Sequence, residues 1–495
     1  MTTSELSRAV ETIPAIYKDA LVANIEQLES TRNINATRRA YLEMKQRVQH
    51  MGIAIPPSLR GFEAACGWSF KGVKALNNRI KLTGFAAPGM DVADFEIDKI
   101  WAANRLGIES PHAHWSALAY GPSFLVAMRG DQSKREPKAL IRHLSPLNTT
   151  AIYNPLTRRN DSGLTINRGE GDSVKSLILY MEDVVVTGVA DGHGGYVFTE
   201  SKTLGHCPIY TLAFDATPDN PFGRSRISQA VMNITDKGIR TSLRMEVGAE
   251  FFAAPQRYLL GADESAFVGP NGEKKTGWDA IMGRLLSIAR DEDGEIPTVG
   301  QFAQMSMQPH IEMMREIASE VAGELNLPVG TLGIIHDNPS SDAAMHTAYL
   351  DLNADAEGTH EPFGAAWVDV MRDAVVINGS GTFEDMELLS AKWRDPATPT
   401  KASASAAAVA LVTAGILPPD SDVALEMVGF DQVTIDRITE HRRNAEAKAR
   451  TQELINAARS LTGGGTTQAV PGGTAGADQA GATGSGRPVE SAPAQ

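Results

Sequence analysis

Clusters of the residue types that do chemistry occur at several places in the chain, and each fails a geometric requirement of the chemistry it suggests. Gly272-Glu273-Lys274-Lys275-Thr276 is basic and glycine-led. A phosphate cradle needs Gly-x-x-x-x-Gly-Lys followed by Ser or Thr, and that spacing is absent. Gly192-His193-Gly194-Gly195 lacks the strand-to-helix setting of a nucleotide loop, so a tight turn is expected. His112 and His114 are two apart. On a helix such residues diverge by about 200°, so their imidazoles do not converge on one metal ion. Core or surface histidines are expected instead. Cys66 and Cys207 are the only cysteines. They give neither a ligand pair nor a disulfide framework, and they fit a reducing cytoplasm. Gly-x-Ser-x-Gly is absent, which weakens a hydrolase reading. Asp291, Glu292 and Asp293 sit in an acidic turn, whereas a calcium loop needs a longer ligand run closed by a spaced Glu. Arg158-Arg159 follows Asn154-Pro155-Leu156-Thr157. This basic turn has the chemistry to touch DNA or an acidic partner, but a solvated turn is the expectation. No catalytic constellation emerges, and no cofactor or metal is called for.

The elements that would position any function are more telling. Asn220-Pro221-Phe222-Gly223-Arg224-Ser225 ends what precedes and offers Ser225 as an N-cap. From there Ile227, Val231, Ile234, Gly238, Ser242, Met245, Ala249 and Phe252 recur at steps of three and four, predicting a helix over 225–253, roughly 40–45 Å long. A second pattern over 309–325 has Ile311, Met314, Ile317, Ala318, Val321 and Leu325 as its apolar stripe. Glu312, Glu316, Glu320 and Glu324 lie beside it at intervals of four. The first helix is basic on balance, with Lys237, Arg240 and Arg244 among its cations. The second sets Arg315 against its four glutamates. A basic and an acidic helix with narrow apolar seams suit side-by-side packing in an assembly. Two ordinary amphipathic helices with solvated charged faces are the plainer reading, and spacing alone favours it.

With 495 residues, 42% of them hydrophobic and 21% charged, the chain fits a globular protein of roughly three domains. No apolar run approaches the ~20 residues needed to span a bilayer, and the first residues lack a basic-then-apolar secretory pattern. A net charge of −14 argues against tight non-specific nucleic-acid binding, which needs Lys and Arg to displace counterions. It does not argue against a protein that DNA must pass without sticking. Residues 1–60 read as helical, ended by Pro56-Pro57. A new helix is expected to start at Ser110-Pro111. Between about 123 and 199 short strands are expected at 123–128, 139–144, 150–153, 176–181, 184–186 and 195–199, giving an α+β architecture. A small α/β insert is expected over 254–303, and a loop over 326–341. A third long helix, capped by Ser341-Asp342 and kinked or split at Pro362, should run to about residue 376. Ala-rich and charged helices follow to 462. The Gly- and Ala-rich stretch 463–495 is expected to be disordered.

Several stretches together resemble a known family. They are Trp101-Ala102-Ala103-Asn104-Arg105-Leu106, Ala113-His114-Trp115 through Pro122-Ser123-Phe124, Asn220 to Ser225, Asn326-Leu327-Pro328-Val329 through Ser340-Ser341, and Trp393-Arg394-Asp395-Pro396. In order and spacing they resemble the portal proteins of tailed bacteriophages, of the kind found in phages with actinobacterial hosts. The resemblance implies a homo-oligomeric ring, usually of twelve copies, at one vertex of the head. Double-stranded DNA would be packaged and ejected through it. Its parts would be a wing (1–222 and 342–399), stem helices (223–253 and 304–325), a clip (254–303), a tunnel loop (326–341), a crown (400–462) and the disordered tail. The clip would meet the terminase large subunit and later a head-completion or adaptor protein, with Lys274, Lys275, Asp291, Glu292 and Asp293 as contacts. The wing would face major capsid and scaffolding proteins, and no membrane is involved. Glu312, Glu316, Glu320, Glu324, Asn326, Asp337, Asn338, Ser340 and Ser341 would line the channel. Lys237, Arg240, Arg244 and Arg315 would join neighbouring subunits. The protein would reside in the virion and, during assembly, in the host cytoplasm, and it would not be an enzyme. Other classes are a shorter head–tail adaptor, which usually lacks two long helices flanking an insert, and a metal-dependent hydrolase, which would need clustered ligands.

Overall fold

A computed structural model of the protein describes residues 2–48, 65–90, 92–253, 257–261, 298–301, 306–333, 347–397, 401–419, 421–430 and 432–462. Helices α1 (Thr2–Thr12) and α2 (Lys18–Leu42) are separated at Pro14, which cannot continue a helical hydrogen-bond ladder. Next come α3 (Trp68–Asn77), strand β1 (Leu82–Ala86), α4 (Ile97–Ala103) and α5 (Leu106–Tyr120). The strand-rich stretch holds β2 (Pro122–Arg129), β3 (Ala139–Leu144), β4 (Thr149–Asn154), β5 (Arg159–Arg168), β6 (Val174–Tyr180), β7 (Val184–Ala190), β8 (Tyr196–Lys202) and β9 (Ile209–Ala213). Helix α6 (Gln229–Ala253), strands β10 (Arg257–Leu260) and β11 (Thr298–Gln301), and helix α7 (Gln308–Glu324) follow in turn. Helix α8 (Leu350–Asn378) and β12 (Ser390–Trp393) close the first of two units, residues 1–398. The second unit, residues 399–495, holds α9 (Lys401–Thr413), α10 (Asp422–Val428) and α11 (Gln432–Thr462). The architecture is mixed helix and sheet. Among the described residues no helix is long and apolar enough to cross a membrane.

Strands β4 to β8 form an antiparallel meander in sequence order, and β3-β2-β9 forms a second antiparallel sheet. Leu21 and Leu28 of α2, with Leu6 and Ala9 of α1, bury against Leu164, Ile166, Leu177 and Leu179 of the meander. Phe124, Val126, Tyr180, Cys207 and Ile209 fill a separate core joining β2 and β9 to the meander. Strand β5 is absent from the sequence reading because Asn160, Asp161, Ser162 and Gly163 look like a turn. The fold satisfies them individually. Asn160 Nδ2 donates to the Ile209 carbonyl at 2.9 Å, and Asn24 Nδ2 donates to Ser162 Oγ at 2.7 Å. A Cβ at Gly163 would lie 2.8 Å from the Ile209 side chain. Strand β1 pairs with β12 some three hundred residues away, a partnership no local pattern reveals.

The largest core joins α3, α4, α5, α8 and the near ends of α6 and α7. Two proline expectations are corrected here. Helix α5 does not start at Ser110-Pro111 but at Leu106, after Arg105 turns the chain with φ of 51°. Pro111 then removes only the bond to the Gly107 carbonyl. Pro362 does not split α8. Pro362 and Gly358 both face solvent, where a carbonyl left unpaired by the proline costs little.

His114 is fully buried, accepts at Nε2 from Trp367 Nε1 (2.9 Å), and stacks on Phe363. Burial holds its pKa down at about 3 against an ordinary 6.5. Between those values the unfolded chain takes up a proton that the folded chain refuses, so stability is full above 6.5 and is lost as pH falls. His114→Gln keeps an acceptor and does not titrate. It should remove roughly 3 kcal/mol of the stability difference between pH 7 and pH 4, as read from urea midpoints at the two pH values. An unchanged slope would contradict this. His112, two residues earlier, is exposed, so the two imidazoles do not form a ligand pair.

The clip residues Lys274, Lys275, Asp291, Glu292 and Asp293, the loop residues Asp337, Asn338, Ser340 and Ser341, the expected Ser341-Asp342 cap and the tail 463–495 lie outside the described residues.

Candidate functional site

The two long helices pack antiparallel. From Ser228 to Lys237 to Thr241 along α6, the partners on α7 run backwards through Glu324, Glu320 and Met313. The apolar seam of α6 is rotated from the expected stripe. Val231, Ile239, Leu243 and Val247 are buried, whereas Ile234 and Met245 are only half-buried and Ala249 is exposed. The cap is also corrected. Ser225 Oγ donates to the Ala119 carbonyl, and the helix begins later, where Ser228 Oγ accepts from Val231 N at 3.1 Å. On α7, Ile317, Ala318 and Val321 face the core as expected, and Ala322, outside the expected stripe, is buried with them.

A close approach fixes the pair to the body. A Cβ on Gly238 would lie 2.4 Å from the Trp68 ring. Trp68 is itself buried, so Gly238→Ala should overpack this contact and cost about 1–3 kcal/mol. Thermal unfolding of the variant checks this, and an unshifted midpoint would refute the close packing.

Arg226 ties the root of the pair together. It is 7% exposed and precedes α6. Its Nε donates to the Gly72 carbonyl of α3 at 3.0 Å, Nη1 to Asp355 Oδ2 of α8 at 3.0 Å, and Nη2 to the Leu325 carbonyl at the end of α7. Burial lowers the guanidinium pKa, and Asp355 opposes that shift. Asn326, expected on the channel wall, has φ of 49° and closes α7 with bonds from Leu327 N to Ala322 O and from Asn326 N to Gly323 O. Its side-chain amide reaches both Asp355 oxygens at 3.1 Å. Tyr41 of α2 donates to Asp236 of α6 at 2.9 Å, and burial followed by that carboxylate raises the phenol's pKa. Four elements besides α6 therefore hold this root.

Glu312, Glu316, Glu320 and Glu324 are all exposed in the single chain, but they are not equivalent. Steps of four advance a helix by about 40° beyond a full turn, so the stripe winds around α7. Its C-terminal half comes against α6, where Lys237 Nζ donates to Glu320 at 2.8 Å and Ser228 Oγ to Glu324 at 2.9 Å. Its N-terminal half turns away from the Ile317–Val321 seam. There Glu312 accepts from Gln308 at 2.9 Å, and Glu316 stands in solvent. Lys237 thus bridges within its own chain. Arg240, Arg244 and Arg315 form no ion pair among the described residues. Beyond the far end of the helix pair, β10 and β11 pair antiparallel, Arg257 opposite Gln301.

A second polar cluster lies at the α8–β9 junction, in a cleft of about 360 Å³. His206 Nε2 and Tyr210 OH both donate to the buried Asp373, at 2.9 and 2.8 Å. Asp373 raises the His206 pKa, so this contact adds stability below the ordinary histidine range and loses it as pH rises through the raised value. The expected basic turn divides here. Arg158 is exposed with φ of 56°, while Arg159 lines the cleft near Asp369 and Asp373. Gly192 to Gly195 forms the expected tight turn, with Asp191 Oδ1 accepting from His193 N and Gly195 N. Among the described residues no group of three His, Cys, Asp or Glu converges as a metal site.

Residues 77–447 match the family model described as phage portal protein, SPP1 Gp6-like. The chain is 28% identical over 406 residues to the portal protein of Mycobacterium phage D29, covering 80% of this chain and 82% of the relative. It is 26% identical over 405 residues to the portal protein of Mycobacterium phage L5, with the same coverage. Among solved structures, a chain of "Neck of native GTA particle computed with C12 symmetry" is 14% identical and covers 81% of this chain and 99% of its own length. Its TM-score of 0.42 is too low to bear weight.

Proposed function

The chain belongs to the SPP1 Gp6-like family of phage portal proteins, and from that premise we propose that twelve copies close into a ring whose hole is walled by α6 and α7. The observation that carries this reading is the helix pair itself. It is antiparallel, anchored at one end by Arg226 and carries the β10–β11 ribbon beyond the other. Glu312 and Glu316, free of α6, turn toward the hole. A cationic wall would gain affinity for DNA with every phosphate neutralised and would hold the duplex. An acidic wall lets it slide. Arg240, Arg244 and Arg315 face neighbouring subunits, where each exposed pair adds only ~0–1 kcal/mol but is repeated around the ring. Lys237 reaches a neighbour only by releasing Glu320.

In this arrangement residues 254–303 form the clip that docks the terminase large subunit and then a head-completion protein. Residues 326–341 form the tunnel loop. Residues 1–222 and 342–399 form the wing against capsid and scaffolding proteins, and 400–462 the crown. Assembly takes place in the host cytoplasm, and the ring ends at the portal vertex of the virion. Native mass measurement with negative-stain microscopy tests the ring. Annular particles of about twelve masses support it, and a persistent monomer rejects it.

A further inference from the structure

Strand β8 ends the meander on one side, and among the described residues nothing pairs with its outer edge. Sheets ordinarily blunt an open edge by shortening it, bulging it or placing proline on it. β8 does none of these. It pairs with β7 over seven residues without a register shift, and it contains no proline. The opposite edge, β4, is covered by α2, with Thr149, Thr150 and Ala151 buried. The face beside the open edge carries two cross-strand rows that run from β6 through β7 to β8. One is Ser176, Val189 and Val197, and the other is Ile178, Thr187 and Thr199. Both rows are half-buried on β6 and exposed on β8. None of the six side chains is charged, and Val189 and Val197 are 50% and 59% exposed. Ile178 packs on the core that joins β2 and β9 to the meander, so one uncharged surface runs from that core to the edge. The charges of β8, Glu200 and Lys202, alternate onto the other face with Tyr196 and Phe198.

We propose that β8 is the template for an added strand: an extended segment of another head protein pairs with its outer edge and lays uncharged side chains beside Val197 and Thr199. The backbone selects the form of the occupant. An open edge presents alternating N–H and C=O groups, and an extended backbone is what matches them along the strand. Charge selects the side chains. A charged group laid on this face would lose hydration without gaining a partner, so the added strand is uncharged at every second position. A polyanion finds no cation on the face. Antiparallel pairing of β8 with its own copy is a two-fold contact, whereas neighbours in a ring meet heterologously. The choice of a head protein over a second copy rests on the ring and wing reading above. The added strand itself rests on the edge alone.

Cross-linking in assembled heads tests this on the full chain. Val197→Cys labelled with benzophenone maleimide puts the probe at the edge, because Cys66 and Cys207 are buried. Irradiated heads should yield one cross-linked segment from another head protein, uncharged at alternate positions. By hydrogen–deuterium exchange, amides of 196–202 should exchange at least ten-fold more slowly in heads than in the isolated protein. Val197→Lys with Thr199→Lys lies at exposed positions and should leave the urea midpoint of the monomer nearly unchanged. The double variant should abolish the protection in heads. Equal exchange in heads and isolated protein, protection that survives both lysines, or a cross-link to a second copy of this chain overturns the inference and leaves the ring reading intact. A chain that never forms rings overturns the ring reading, and the cross-linked segment still decides this one.

Discussion

Replacing Arg226 with Met should cost the first unit about 3 kcal/mol. The guanidinium satisfies the Gly72 and Leu325 carbonyls and pairs with Asp355. Methionine fills much of its volume, so the loss reports the polar contacts rather than a cavity. Removing one member of a buried pair leaves the other charge uncompensated, typically costing ~3–5 kcal/mol. Asp355 is 27% exposed and keeps Asn326 as a donor, which places the expectation at the low end. Urea unfolding of the monomer supplies the measurement. A double-mutant cycle with Asp355→Asn should show coupling of about 1–2 kcal/mol. A loss below 1 kcal/mol would mean that the root is held by the apolar seam alone.

Reversing the charge of the glutamates that α6 leaves free should block DNA passage without unfolding the protein. Glu312→Lys with Glu316→Lys changes exposed positions far from the Ile317–Val321 seam, so monomer stability should move by less than ~0.5 kcal/mol. In rings the wall becomes cationic. Each phosphate it neutralises contributes about 0.9 to the slope of log affinity against log salt. Variant rings should retain linear duplex DNA at low salt and release it steeply as salt rises, and packaged DNA per head should fall at least ten-fold. The same reversal at Glu320 confounds this reading, because it also breaks the bridge to Lys237. Packaging at the normal level by the 312/316 variant would show that these side chains do not meet DNA.

The long periodic elements were legible before the fold was known. The helices at 229–253 and 308–324 emerge from apolar spacing, and those within 401–462 from Ala-rich and charged composition. The seam of α6 was mislaid because Thr235 and Thr241 face the core while Ala249 turns out, so residue type misreports the buried face. Strand β5 was illegible because its polar residues are paid for by partners on α2 and β9. Arg226 was illegible for the same reason. Its acceptors come from three elements separated by 99 to 154 residues. The glutamate stripe was visible as a spacing. Its division into two tethered and two outward-turned carboxylates depends on where α6 lies, which one helix alone cannot state.

The most direct test is a side-chain-resolution electron cryomicroscopy map of the assembled ring. The account predicts Glu312 and Glu316 of every subunit pointing at the central axis, with Lys237 and Glu320 joined within each subunit. Glutamates on the outer surface of the stem, with a basic face turned to the hole, would contradict it.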